Sequence, residues 1–175
     1  MRTVGVIGLG NMGMGIAKNL LKAGFTTRGY DLFEAKREEL RGYGGVPCFS
    51  PAEVGDGAEV VFVMVMNGAQ ALDVAFGENG LCKTMKPGSV LFLTATIGMG
   101  YAQQLAKGLQ EYGIEMIDSG VSGGLSGAHN GTLTLMASGK KEVYDSCKDV
   151  MDAIASNPNH VGTEPGQGQV VKSCL

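Results

Sequence analysis

Gly8-Leu9-Gly10-Asn11-Met12-Gly13 places three glycines where they can bring main-chain amides against an anion. Gly8 suits a tight turn, Gly10 admits close approach of a diphosphate, and Gly13 lets a helix sit near a strand. Val4, Val6 and Ile7 precede the turn and read as a strand. Ile16, Ala17, Leu20 and Leu21 follow it and share one face of a helix. Asp31 then closes the next apolar stretch, about 20 residues on, where a carboxylate accepts hydrogen bonds from ribose hydroxyls. Glycine is abundant, 29 in 175 residues against a usual ~7%, so the triplet alone is weak evidence. Strand, turn, helix, strand and acid in this order form a dinucleotide-binding fingerprint.

The elements that must position these residues alternate along the chain. Strands are expected at Thr3 to Gly8, Thr26 to Tyr30, Val60 to Val65, Val90 to Leu93, Ile114 to Ile117 and Thr132 to Ala137. Helices are expected at Met12 to Ala23, Glu34 to Tyr43, Gly68 to Phe76 and Ala102 to Leu109. A further helix buries Val143, Cys147, Val150, Met151 and Ile154. Ser50 and Pro51 suit the cap and first position of a brief helical turn. Gly120 to Gly131 reads as a loop that holds a short helix, and Asn157-Pro158-Asn159 as a turn before a short edge strand. The pattern predicts an α/β, Rossmann-like, doubly wound and mostly parallel sheet with helices on both faces. Polar or glycine-rich segments follow the strand ends at Gly8 to Gly13, Asp31, Met66-Asn67, Thr94 to Thr96 and Asp118 to Gly124. All should converge on one edge.

The totals exclude several classes. A net charge of −3 and the lack of a Lys/Arg cluster argue against a nucleic-acid partner. The longest apolar run, near Val60 to Met66, is too short to cross a bilayer, and the first residues do not read as a signal peptide. A cytoplasmic protein is expected. Cys48, Cys82, Cys147 and Cys174 lack metal-ligand spacing and read as ordinary thiols, so no metal is expected. His129 reads as a solvated loop residue.

In order, these segments resemble the β-hydroxyacid dehydrogenases, the 3-hydroxyisobutyrate dehydrogenase-related family. Gly8 to Gly13 with Ala17-Lys18-Asn19-Leu20 is similar to the family's nucleotide motif. Thr94-Ala95-Thr96-Ile97 is similar to its Ser-Thr-Ile segment. Asp118-Ser119-Gly120-Val121-Ser122-Gly123-Gly124 resembles its substrate motif, with Ser119-Gly120 where Ala-Pro is usual, a change expected to loosen that loop. Gly166-x-Gly168-x-x-x-Lys172 resembles its lysine motif. Phe76-Gly77-Glu78, Met136 to Gly139 and Glu164-Pro165-Gly166 resemble the L-threonate dehydrogenase branch.

The resemblance implies an NAD-dependent oxidoreductase that interconverts a small 3-hydroxy acid and its carbonyl form. It implies Lys172 as general acid and base. It implies Ser122, Gly123 and Gly124 as the substrate carboxylate site, through backbone amides. Thr96 would touch nicotinamide or substrate. Met66 and Asn67 would border a ribose, and Asn11 and Met12 would face the diphosphate through their backbone. Asp31 favours NAD over NADP, although Arg28, Lys36 and Arg37 lie near it in sequence. Residues 1–163 are expected to form the dinucleotide domain, and 164–175 to begin an interdomain helix that carries Lys172. The family's C-terminal all-helical domain is expected to be absent, and with it the surface that makes a homo-oligomer. Two alternatives stay open: a dinucleotide-binding module without turnover, and an enzyme like 6-phosphogluconate dehydrogenase.

Overall fold

Val60-Val61-Phe62-Val63 is apolar at every position because both faces of its strand are covered. The computed structural model, which describes residues 2–174, places it inside an eight-stranded sheet. The strands are β1 (Thr3–Ile7), β2 (Thr26–Tyr30), β3 (Val46–Pro47), β4 (Val60–Val63), β5 (Val90–Leu93), β6 (Glu115–Ser122), β7 (Leu133–Ser138) and β8 (Ala155–Gly162). Their order across the sheet is β3-β2-β1-β4-β5-β6-β7-β8. The first six run parallel. β7 is antiparallel to β6, and β8 is parallel to β7. The order turns back between β1 and β4. A crevice opens at such a switch point, beyond the carboxyl ends of the strands.

Helices cover both faces. One layer packs α1 (Asn11–Lys22), α6 (Gly124–Asn130) and α8 (Lys148–Ile154) on Val4, Val6, Val60, Phe62, Phe92 and Ile117. The other packs α3 (Pro51–Gly55), α4 (Gly68–Phe76) and α5 (Met99–Gln110) on Ile7, Val61, Val63, Leu91 and Leu93. Alternate residues of each strand thus enter opposite layers. Phe62 and Phe92 sit opposite each other in register, with ring centroids 4.7 Å apart. The remaining helices are α2 (Glu34–Gly42), α7 (Lys141–Ser146) and α9 (Gln167–Ser173). Ser50 caps α3 by accepting from Glu53 N at 3.1 Å, and Pro51 follows at the first helical position, as the sequence predicts.

Three expectations need correction. The region from Gly120 is not a loop at its start. β6 continues to Ser122, because pairing with β7 holds Ser119 opposite Ala137 and Gly120 opposite Met136. Ser119 and Gly120 thus lie within a paired strand rather than a loop. The turn at 157–159 is instead part of β8, an edge strand with two register shifts, where a proline is tolerated. The helix expected through Cys147 breaks there into α7 and α8, with Ser146 Oγ bonded to Val143 O at 2.6 Å.

Candidate functional site

The glycine turn forms as the spacing requires. Gly8 has φ +91°, and a Cβ there would lie 1.9 Å from Met64 O. A Cβ on Gly13 would lie 1.7 Å from Gly8 O, so the helix starts hard against the turn. Gly10 differs: a Cβ there would meet nothing within 4 Å. The position faces open space rather than packed protein. Gly10 precedes α1, whose first turn has neither a capping side chain nor an acidic residue. Its amides keep their capacity for an anion.

These residues border a cleft of about 950 Å³ at the ends of β1, β2 and β4, a volume typical of organic cofactor sites. Gly8, Gly10, Asn11, Met12, Gly13, Asp31 and Met66 all line it. Met66 is 84% exposed. Leu32, Phe33 and Phe49 add an exposed apolar wall. Asp31 Oδ2 accepts from Leu9 N at 2.8 Å, and Oδ1 accepts from Phe33 N at 2.9 Å. The acid thus ties the turn after β2 to the glycine turn, and each oxygen keeps a further lone pair. Asn67 does not line the cleft. Its Oδ1 accepts from Gln70 N at 2.9 Å and caps α4, while Gln70 Oε1 accepts from Met66 N at 2.8 Å. Arg37 Nη1 donates to Asp31 O at 2.7 Å, and its guanidinium lies over the Phe49 ring.

A second group gathers where β5 and β6 end. Thr96 is exposed on the segment between β5 and α5. Ser122 is half-buried at the end of β6. Gly123 and Gly124 are exposed with φ +122° and +61°, and a Cβ on Gly124 would meet only open space. Lys172, half-buried on α9, stands beside β6: a Cβ on Gly120 would lie 2.7 Å from Lys172 Cβ. Gly166 and Gly168 both have steric causes. Gly166 has φ +99° ahead of α9, and a Cβ on Gly168 would meet Met136 O at 2.5 Å and Asp118 O at 2.6 Å.

Sequence reasoning missed what ties these segments together. Asp118 is fully buried. Its Oδ2 accepts from Gly166 N at 3.1 Å and Gln169 N at 3.2 Å, and its Oδ1 from Gln169 Nε2 at 2.7 Å. Gln169 Oε1 accepts from Ile97 N at 2.8 Å and Gly98 N at 2.9 Å, and Nε2 also donates to Ala95 O at 3.0 Å. Burial pushes the Asp118 carboxyl above the ordinary carboxylate range, and the amide donors only partly oppose this. The available signal was a carboxylate closing an apolar strand and an amide inside a glycine-rich helix start.

Comparison with known proteins decides the family. Residues 3–162 match the NAD binding domain of 6-phosphogluconate dehydrogenase. The chain belongs to this family of NAD-binding domains. Over 171 residues the domain is 43% identical to L-threonate dehydrogenase of Cupriavidus necator, covering 98% of this chain and 58% of that protein. It is 36% identical over 171 residues to mitochondrial 3-hydroxyisobutyrate dehydrogenase of Mus musculus, covering 98% of this chain and 51% of that protein. Among solved structures, a 3-hydroxyisobutyrate dehydrogenase from Salmonella typhimurium superposes with a TM-score of 0.93 at 37% identity, covering 98% of this chain and 60% of that one. The chain thus spans little more than half the length of the curated relatives it matches. The NAD-binding domain has, among the described residues, no helix long and apolar enough to cross a membrane. Nor do the described residues contain a cluster of three His, Cys, Asp or Glu side chains suited to a metal.

Proposed function

We propose that this NAD-binding domain serves an oxidoreductase that interconverts a small 3-hydroxy acid and its carbonyl form, with Lys172 as the proton donor and acceptor. One observation carries the reading. The segments at 94–98, 118–124 and 166–172 are bonded together at the strand ends beside those that border the dinucleotide cleft. The names of the relatives, L-threonate and 3-hydroxyisobutyrate dehydrogenases, support the same substrate class.

The amides of Gly10, Asn11 and Met12 hold the diphosphate at the start of α1, and Gly8 and Gly13 shape the turn around it. Asp31 uses its remaining lone pairs for ribose hydroxyls and repels a 2′-phosphate, which favours NAD over NADP. Met66 borders the bound nucleotide, and Asn67 holds that segment by capping α4. Thr96 offers its hydroxyl to the reacting end. The amides of Ser122, Gly123 and Gly124 hold the substrate carboxylate. Bound nicotinamide supplies the acceptor or donor of hydride. Lys172 takes the proton of the substrate hydroxyl in oxidation and returns it in reduction.

A second reading, binding without turnover, is favoured for the isolated chain because it spans 58% of the Cupriavidus necator relative. Both are tested together. The 175-residue chain, alone and joined to the remaining part of that relative, is titrated with NAD and NADP and assayed for NADH formation from L-threonate and 3-hydroxyisobutyrate. The expected result is NAD binding by both forms, with substantial turnover only in the joined form. Lys172→Ala in the joined form should keep NAD affinity and lose about 10²–10⁴ in rate. An active Lys172→Ala protein overturns the role given to Lys172.

A further inference from the structure

The geometry points to Asp118 and Gln169 as a positioning pair that fixes where Lys172 stands, a role that rests on the proposed use of Lys172. Both side chains are buried, at 0% and 4% exposure. They bond to each other at 2.7 Å. Every hydrogen-bonding valence of the Gln169 amide is used: Oε1 accepts from Ile97 and Gly98, and Nε2 donates to Ala95 O and Asp118 Oδ1. The pair therefore locks α9 to the segment after β5 and to β6 at once.

The lock matters because it acts on the turn of α9 that carries both Gln169 and Lys172. Lys172 follows Gln169 by three residues, so both project from the same side of α9. The Lys172 stem rests where Gly120 lacks a side chain. Close packing alone could be achieved with apolar residues. A buried polar network instead admits one arrangement and penalises others, because any displaced donor or acceptor is left unpaired in a dry interior. What it specifies here is the place of the amine relative to Thr96 and Ser122. Neither Asp118 nor Gln169 borders the cleft lined by the glycine turn and Asp31, so the pair lies apart from the part of the site assigned to the diphosphate.

The test uses the 175-residue chain and NMR. In the wild type, the Ile97 and Gly98 amides should exchange slowly, and Gly120 Hα should show a contact to Lys172 Hβ. Gln169→Ala should speed both amides about tenfold or more and abolish that contact, with NAD affinity changed less than about twofold. Gln169→Glu should do the same, since two acceptors then face each other. Adding Asp118→Asn to Gln169→Glu supplies a donor opposite the new acceptor and should recover part of the protection. In the joined form, Gln169→Ala should lower kcat while leaving KM for NAD unchanged. Fast exchange of Ile97 and Gly98 in the wild type overturns the proposal, even if no variant folds. So does a Gln169→Ala protein that merely melts earlier with the Lys172 contact intact. If Lys172→Ala stays active while the contact and exchange behave as stated, the role of Lys172 fails and the pair's hold on it stands.

Discussion

At the scale of single residues, the three glycines of the turn separate by mechanism. Gly8 and Gly13 are required by the protein's own backbone, whereas Gly10 faces open space. Gly10→Ala should therefore fold normally, with stability changed by less than about 0.5 kcal/mol, because its φ of −66° suits alanine. Its NAD affinity should fall about tenfold, read by calorimetric titration, as the new methyl occupies the approach of the diphosphate. Asp118 provides a second residue-scale prediction. Its folded pKa is raised by burial, so the folded chain keeps this proton to a higher pH than the unfolded chain does. The associated stability is complete below the ordinary carboxylate range and is lost as pH rises through the raised value. Urea unfolding across that window should show stability falling with pH, and Asp118→Asn should remove this component.

At the scale of elements, α1 and α6 are fastened to each other more than to solvent. Asn19, buried on α1, donates Nδ2 to Gly15 O at 2.9 Å, Ala128 O at 2.7 Å and His129 O at 3.0 Å. A Cβ on Gly15 would lie 2.8 Å from Ala128 C, so the helices touch backbone to backbone. The helix that follows the glycine turn is thus fixed to the helix that follows Ser122–Gly124. Asn19→Ala leaves buried carbonyls unpaired and should cost about 1–3 kcal/mol in urea unfolding. The expected secondary effect is faster amide exchange across both helices, but not across α3 to α5, which lie in the other layer.

At the scale of the whole molecule, the two apolar layers meet through the central strands. Phe62 and Phe92, both fully buried, close the centre of one layer. Phe62→Ala should cost about 3–5 kcal/mol through lost burial and the cavity left behind. Because Phe62 lies outside the cleft, the folded fraction should bind NAD as the wild type does, and excess NAD should raise the variant's melting temperature. A variant that folds but has lost NAD affinity would show that the core reaches the turn after β1 by a route absent from these contacts.

Local chemistry by itself determined the first half of this protein. The glycine turn, β2, α4 and β5 were legible, because φ requirements, capping residues and two-sided burial leave marks within a few positions. The roles of Gly166 and Gly168 were legible only as a motif, since what they approach lies about 30–70 residues away in the chain and leaves no local pattern. The extension of β6 through Gly120 and the strand at Pro158 were decided by pairing with β7, which overrides the turn preference of Gly, Ser, Asn and Pro. Asp118 reads only as the first residue of the substrate-like motif, and Gln169 as an unassigned position of the lysine-like motif, until the sheet brings them together. A buried hydrogen bond between distant residues is a property of the tertiary arrangement, and no window of sequence contains it.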